Sequence, residues 1–111
     1  MKKNKNFLEF IPLRNEKIGW KLDDEKVTLI FHRYSLFERI MHKIFKKAEF
    51  VKVELEEIGS KIWLLCDGKN TIYDISQQLE KQFGNKIEPT IPRLINYINT
   101  LKNNSYIYFK K

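Results

Sequence analysis

The side chains best suited to chemistry in this 111-residue chain are His32, His42, Cys66 and the carboxylate clusters Asp23-Asp24-Glu25 and Glu56-Glu57. A zinc site wants three or four His, Cys or carboxylate ligands converging on one point. His32 and His42 fall on different predicted elements, with no cysteine or further histidine at ligand spacing. A catalytic thiolate needs a neighbouring base or a helix N-terminus. Cys66 instead falls at the C-terminal end of a predicted apolar helix, where the helix dipole disfavours negative charge, so it reads as a small buried hydrophobe. Glu56 and Glu57 are strand-end neighbours that point to opposite faces and make a poor acid/base pair. Gly19, Gly59, Gly68 and Gly84 form no phosphate-cradling loop. The expectation is a protein that is not an enzyme and carries no metal or cofactor.

The elements that would position any other function follow from periodicity. Ile18 to Leu22 alternates apolar and polar residues, Asp23-Asp24-Glu25 reads as a turn, and Val27 to Arg33 is rich in β-branched and aromatic residues. Together these predict a β-hairpin. Residues 34–47, YSLFERIMHKIFKK, place Phe37, Ile40, Met41, Ile44 and Phe45 on one side and mostly basic residues on the other, which predicts a basic amphipathic helix. Phe50 to Glu57 alternates again and predicts a third strand. Ile58, Ile62 and Leu65 then share a helical face over about 57–66, and Gly68 is expected at its left-handed C′ position. Thr71 with Asp74 three residues on reads as a helix N-cap for 71–83. A last helix, about 90–103, carries the stripe Ile91, Leu94, Ile95, Ile98 and Leu101, with Pro92 in its first turn. Phe7 to Ile11 is a short apolar patch stopped by Pro12, and Tyr106 to Phe109 a terminal extended segment. The order predicts an α+β domain: a three-stranded antiparallel sheet followed by a three-helix bundle, winged helix-turn-helix-like, with an extra helix between strands two and three.

Composition bounds the function classes. Apolar content of 42% and aromatic content of 14% suit one folded domain. The net charge of +7 is uneven. Residues 1–52 hold thirteen Lys/Arg against seven Asp/Glu, and residues 53–111 hold eight against seven. A basic excess suits nucleic acid, an anionic membrane surface or an acidic partner, and equally a solvated lysine-rich surface. One cysteine allows no internal disulfide, no apolar run is long enough to span a membrane, and the N-terminus lacks the apolar core of a signal peptide. A cytoplasmic location is the consistent expectation.

The run Leu55 to Asp74, LEEIGSKIWLLCDGKNTIYD, resembles the signature of the PqqD family, also called RiPP recognition elements. The matching residues are Leu55, Gly59, Ile62, Trp63, Leu64, Leu65, Cys66, Asp67, Gly68, Thr71, Ile72, Ile75, Leu79, Leu94, Leu101 and Ile107. The Leu-Cys-Asp-Gly-x-x-Thr-Ile run is the specific part. The resemblance implies one domain over 1–111. In it, 1–52 supplies the hairpin, the inserted basic helix and the start of strand three, and 53–107 is the family core. It also implies a non-catalytic peptide chaperone, which binds the leader of a ribosomally made precursor peptide as an added strand and presents it to a modifying enzyme, often a radical SAM protein. By that resemblance the edge would be Phe50, Val51, Lys52, Val53, Glu54 and Leu55. On the last helix Arg93, Tyr97 and Thr100 would face the peptide. The inserted 34–47 helix departs from the simplest members and abuts this edge.

Two other classes stand beside this one. The helical half would suit a winged-helix nucleic-acid-binding protein, but residues 71–104 carry only Lys81, Lys86, Arg93 and Lys102 as cations, few for a recognition helix, and no specific nucleic-acid binding is expected. The 34–47 helix would suit an adaptor that makes peripheral contact with a membrane surface or a partner groove.

Overall fold

The computed structural model describes residues 6–32 and 50–110; the predicted 34–47 helix lies outside them. The described residues form five strands and three α-helices: β1 (Ile11–Arg14), β2 (Gly19–Asp23), β3 (Lys26–His32), β4 (Phe50–Glu54), α1 (Glu57–Leu65), α2 (Ile72–Phe83), α3 (Thr90–Asn103) and β5 (Ile107–Lys110). The protein is α+β, with an antiparallel three-stranded sheet in the order β2-β3-β4 and three helices after it. The hairpin turns on Asp24 and Glu25, both at positive φ (54° and 66°), the backbone a two-residue type I′ turn requires.

A second sheet was not predicted. β1 pairs antiparallel with β5, from Ile11↔Lys110 to Arg14↔Ile107. Pro12 therefore lies inside a strand rather than stopping one. Pro12 turns its backbone groups away from β5, so its missing N–H costs no bond of that ladder. The ribbon is tied to the turn after α1: Gly68 N–H donates to Pro12 C=O, Arg14 N–H donates to Cys66 C=O, and Leu13 bridges Asp67. Gly68 is in the left-handed region (φ 80°) as expected, but not at C′. Cys66 caps α1, and Gly68 serves the crossing of this turn under Leu13.

The core joins both halves. Val27 and Leu29 of β3 bury against Ile62, Trp63 and Cys66 of the α1 region, Ile72, Ile75 and Leu79 of α2, Leu94, Ile98 and Leu101 of α3, and Ile107 of β5. α1 packs on β3 and α2, and α3 packs on α2 and β5. The α2 cap is the predicted capping box: Asp74 N–H donates to Thr71 Oγ1 and Thr71 N–H to Asp74 Oδ2, both at 3.0 Å. Arg14 closes the other end of α1. Its guanidinium donates to the Trp63 and Leu64 carbonyls at 3.0 Å and stacks 5.0 Å from the Trp20 ring centroid, which satisfies C-terminal carbonyls the helix leaves free.

Candidate peptide edge and groove

β4 pairs with β3 on one side, from Thr28↔Glu54 to His32↔Phe50, and with no other described strand. The direction of its backbone groups follows from one bond. Leu55 N–H donates to Val27 C=O at 2.7 Å, which makes Leu55 and Val27 a hydrogen-bonded pair. Hydrogen-bonded positions alternate along an antiparallel ladder. Val51 and Val53 therefore direct their N–H and C=O groups to β3, whereas Phe50, Lys52 and Glu54 direct theirs away from it, to a side with no partner strand among the described residues. Lys52, Val53 and Glu54 are exposed, and Val53 retains 42% of its surface although its cross-strand partner Leu29 is buried.

Ser60 seals the end of this strand. The Leu55–Val27 pair lacks its second direct bond. Val27 N–H donates instead to Ser60 Oγ at 2.7 Å, and Ser60 Oγ donates to Leu55 C=O at 3.2 Å. A hydroxyl both accepts and donates, so one buried serine relays a ladder bond and fixes α1 to the β3–β4 seam.

A groove of about 340 Å3 opens two residues beyond β4. Ile58, Ile62, Phe83, Ile87, Leu94 and Tyr97 make its lining largely apolar. Glu56, Glu57, Lys86 and Arg93 also line it. Arg93 Nη1 donates to the Lys86 carbonyl at 3.1 Å, which holds the two cations together. Gly59 lets the Tyr97 ring lie close to α1: a Cβ there would collide with the phenol. Burial, reinforced by nearby Cys66, raises the Tyr97 hydroxyl pKa above its ordinary value, so the phenol stays protonated and able to donate.

Of the residues expected at a peptide site, Phe50 to Glu54 form the sheet edge and half-buried Leu55 ends it. Arg93 and Tyr97 meet in the groove. Thr100 lies apart from it, exposed, with its hydroxyl donating to Asn96 C=O at 3.0 Å within its own helix. Glu56, Glu57, Lys86, Ile87 and Phe83 were not expected there. One signal pointed to them: Gly59 inside a helix costs roughly 1 kcal/mol relative to alanine, so a close neighbour is its natural reason.

The Cys66-Asp67-Gly68 turn is structural. Cys66 is fully buried, and burial, partly offset by Arg14 and aided by Asp67, pushes its thiol pKa up to about 12. Its slight burial would raise the Asp67 carboxyl pKa, but hydrogen bonds from the Lys69 and Asn70 N–H groups outweigh that and hold it below the usual value. Among the described residues no group of three or more His, Cys, Asp or Glu is arranged to hold a metal ion, and no helix is long and apolar enough to cross a membrane.

The family model described as coenzyme PQQ synthesis protein D (PqqD) matches residues 51–107, from within β4 to the first residue of β5. No curated protein and no solved structure matches the chain.

Proposed function

This chain belongs to the PqqD family, and we propose that it is a non-catalytic accessory protein of peptide-derived natural product biosynthesis that holds a precursor's leader segment for a modifying enzyme. The sheet and three helices are read as a winged helix-turn-helix-like scaffold for that task. The observation that carries the reading is the β4 edge. Lys52 and Glu54 offer N–H and C=O groups that an extended peptide completes, beside a groove reached by Arg93 and Tyr97. Backbone pairing supplies affinity that tolerates sequence variation, and side-chain pockets supply selectivity. A modifying enzyme, radical SAM or another, would receive the peptide so displayed.

Recognition of nucleic acid has little support in the cations of α3. Arg93 is engaged with the Lys86 carbonyl, and Lys102 lies 6.0 Å from the Phe109 ring centroid.

The test is titration of labelled leader peptides, drawn from short precursor genes beside this one, against the wild type and four variants. Lys52→Pro removes an N–H that faces the open edge and should weaken binding with the fold retained. Val53→Pro removes a bond to β3 and should lower stability instead. Arg93→Ala and Tyr97→Ala should each reduce peptide affinity. Binding of no leader refutes the reading; tight binding that none of the four variants weakens moves the site elsewhere.

A further inference from the structure

The sheet has a second edge strand. β2 pairs with β3 on one side and with no other described strand, and all five of its residues are exposed. Two of them are large and apolar: Trp20 retains 37% of its surface and Leu22 51%. We propose that this edge is a self-association surface, on which a second copy of the chain pairs its own β2 antiparallel about a two-fold axis at Leu22. The inference is independent of the peptide reading, because β2 and β4 are opposite edges of the sheet.

The direction of the backbone groups comes first. Val27 is bonded to Leu55, so Val27 and Leu29 turn their N–H and C=O groups toward β4, and Lys26, Thr28 and Ile30 turn theirs toward β2. Their cross-strand partners are Asp23, Lys21 and Gly19. Trp20 and Leu22 therefore direct their N–H and C=O groups away from β3. Leu22 lies opposite Val27 and Trp20 opposite Leu29, so both side chains stand on the face of the sheet on which α1 packs. Lys21 and Asp23 stand on the other face.

Charge selects the mate and the register. Charged residues on an edge strand deter an unrelated strand. In β2 the two charges are spaced so that a two-fold mate satisfies both. An axis at Leu22 sets Lys21 of each copy against Asp23 of the other, at non-hydrogen-bonded positions, where side chains lie closest. Leu22 then meets its own counterpart as a hydrogen-bonded pair. An axis at Lys21 would oppose the two lysines, and an axis at Trp20 would set Lys21 against Gly19. A cavity of about 200 Å3 beside Leu22, lined also by Leu64, Lys61 and Glu57 of α1, leaves room for the apolar cluster at the axis to pack against Leu64. The joined sheets run β4-β3-β2-β2-β3-β4, with a β4 edge at each end.

Sedimentation velocity of the full chain over a concentration series provides the test. So short a strand pair is a weak interface, and the wild type should pass from monomer to dimer with a Kd of about 10–200 µM. Lys21→Glu sets a carboxylate against Asp23 of the second copy, and Asp23→Lys sets an ammonium group against its Lys21. Each change should weaken association by about tenfold or more. An equimolar mixture of the two variants places opposite charges at every pair and should restore the dimer to within about threefold of wild type. That rescue cannot come from variants that have lost their fold. A wild type still monomeric at about 1 mM, a dimer indifferent to either charge reversal, or a mixture no more associated than its components would each overturn the inference.

Discussion

Ser60 and Ser76 are both fully buried, yet removing their hydroxyls should have opposite consequences. Ser60 Oγ accepts from Val27 N–H and donates to Leu55 C=O. In Ser60→Ala the Val27 N–H, in a residue with 0% exposure, loses its acceptor and has no route to water. An orphaned buried backbone donor costs about 1–3 kcal/mol. The half-buried Leu55 carbonyl adds less, so the expected loss is about 2–3 kcal/mol. For a domain near 100 residues that lowers Tm by roughly 10–20 °C. Ser76 Oγ donates to Tyr73 C=O at 2.6 Å, inside α2. That carbonyl keeps its helical partner when the hydroxyl is gone, and alanine is the better helix former, so Ser76→Ala should stay within about 0.5 kcal/mol of wild type. Urea denaturation followed by circular dichroism gives both values, and amide exchange at Val27 locates the loss. A Ser60→Ala cost below about 0.5 kcal/mol, or a larger cost for Ser76→Ala, would refute the relay and the seam it holds shut.

Two glycines at positive φ separate backbone strain from crowding: Gly68→Ala must accept φ 80° and a Cβ 2.9 Å from Leu13 Cδ1, whereas Gly84→Ala meets φ 53° and open space. Leu13 is exposed and its Cδ1 can give way, whereas Gly84 combines φ 53° with ψ −127°, which only glycine adopts readily. Thermal melts should therefore show each variant destabilised by about 1–3 kcal/mol, and Gly84→Ala no less than Gly68→Ala. The buried Cys66 thiol should resist a thiol reagent at pH 8 and react only as fast as the protein unfolds. Its raised pKa also sets a sign. Unfolding frees a thiol of ordinary pKa 9.0, so the stability it contributes is complete below pH 9 and falls as pH climbs toward about 12; a Cys66→Ala variant should lose that part of the alkaline decline in urea midpoints.

The helices were legible because their signals are local. The stripe through Leu94, Ile98 and Leu101, the Thr71–Asp74 box and the Asp24-Glu25 turn each need only neighbours in the chain, and each lies where the pattern put it. The third strand and its family signature were legible for the same reason. What the sequence concealed depends on residues far apart. Ile11–Arg14 and Ile107–Lys110 are too short to declare a sheet alone; they become one because each end of the chain returns to the same side of the Cys66-Asp67-Gly68 turn. Which amides of β4 face outward was undecidable from alternation, since either set could pair with β3 until Leu55 and Val27 fixed the phase. The groove is likewise a tertiary product. Gly59 and Tyr97 are distant in sequence and meet because α1 and α3 pack around one core, and that packing brings Arg93 and Lys86 to the same groove as Glu56 and Glu57. Sequence alone determined which segments are amphipathic and where they stop, because those properties are set by a residue and its near neighbours. Tertiary structure decided which polar groups face each other and which backbone groups of β4 turn away from β3, because those are set by how amphipathic faces close on one another.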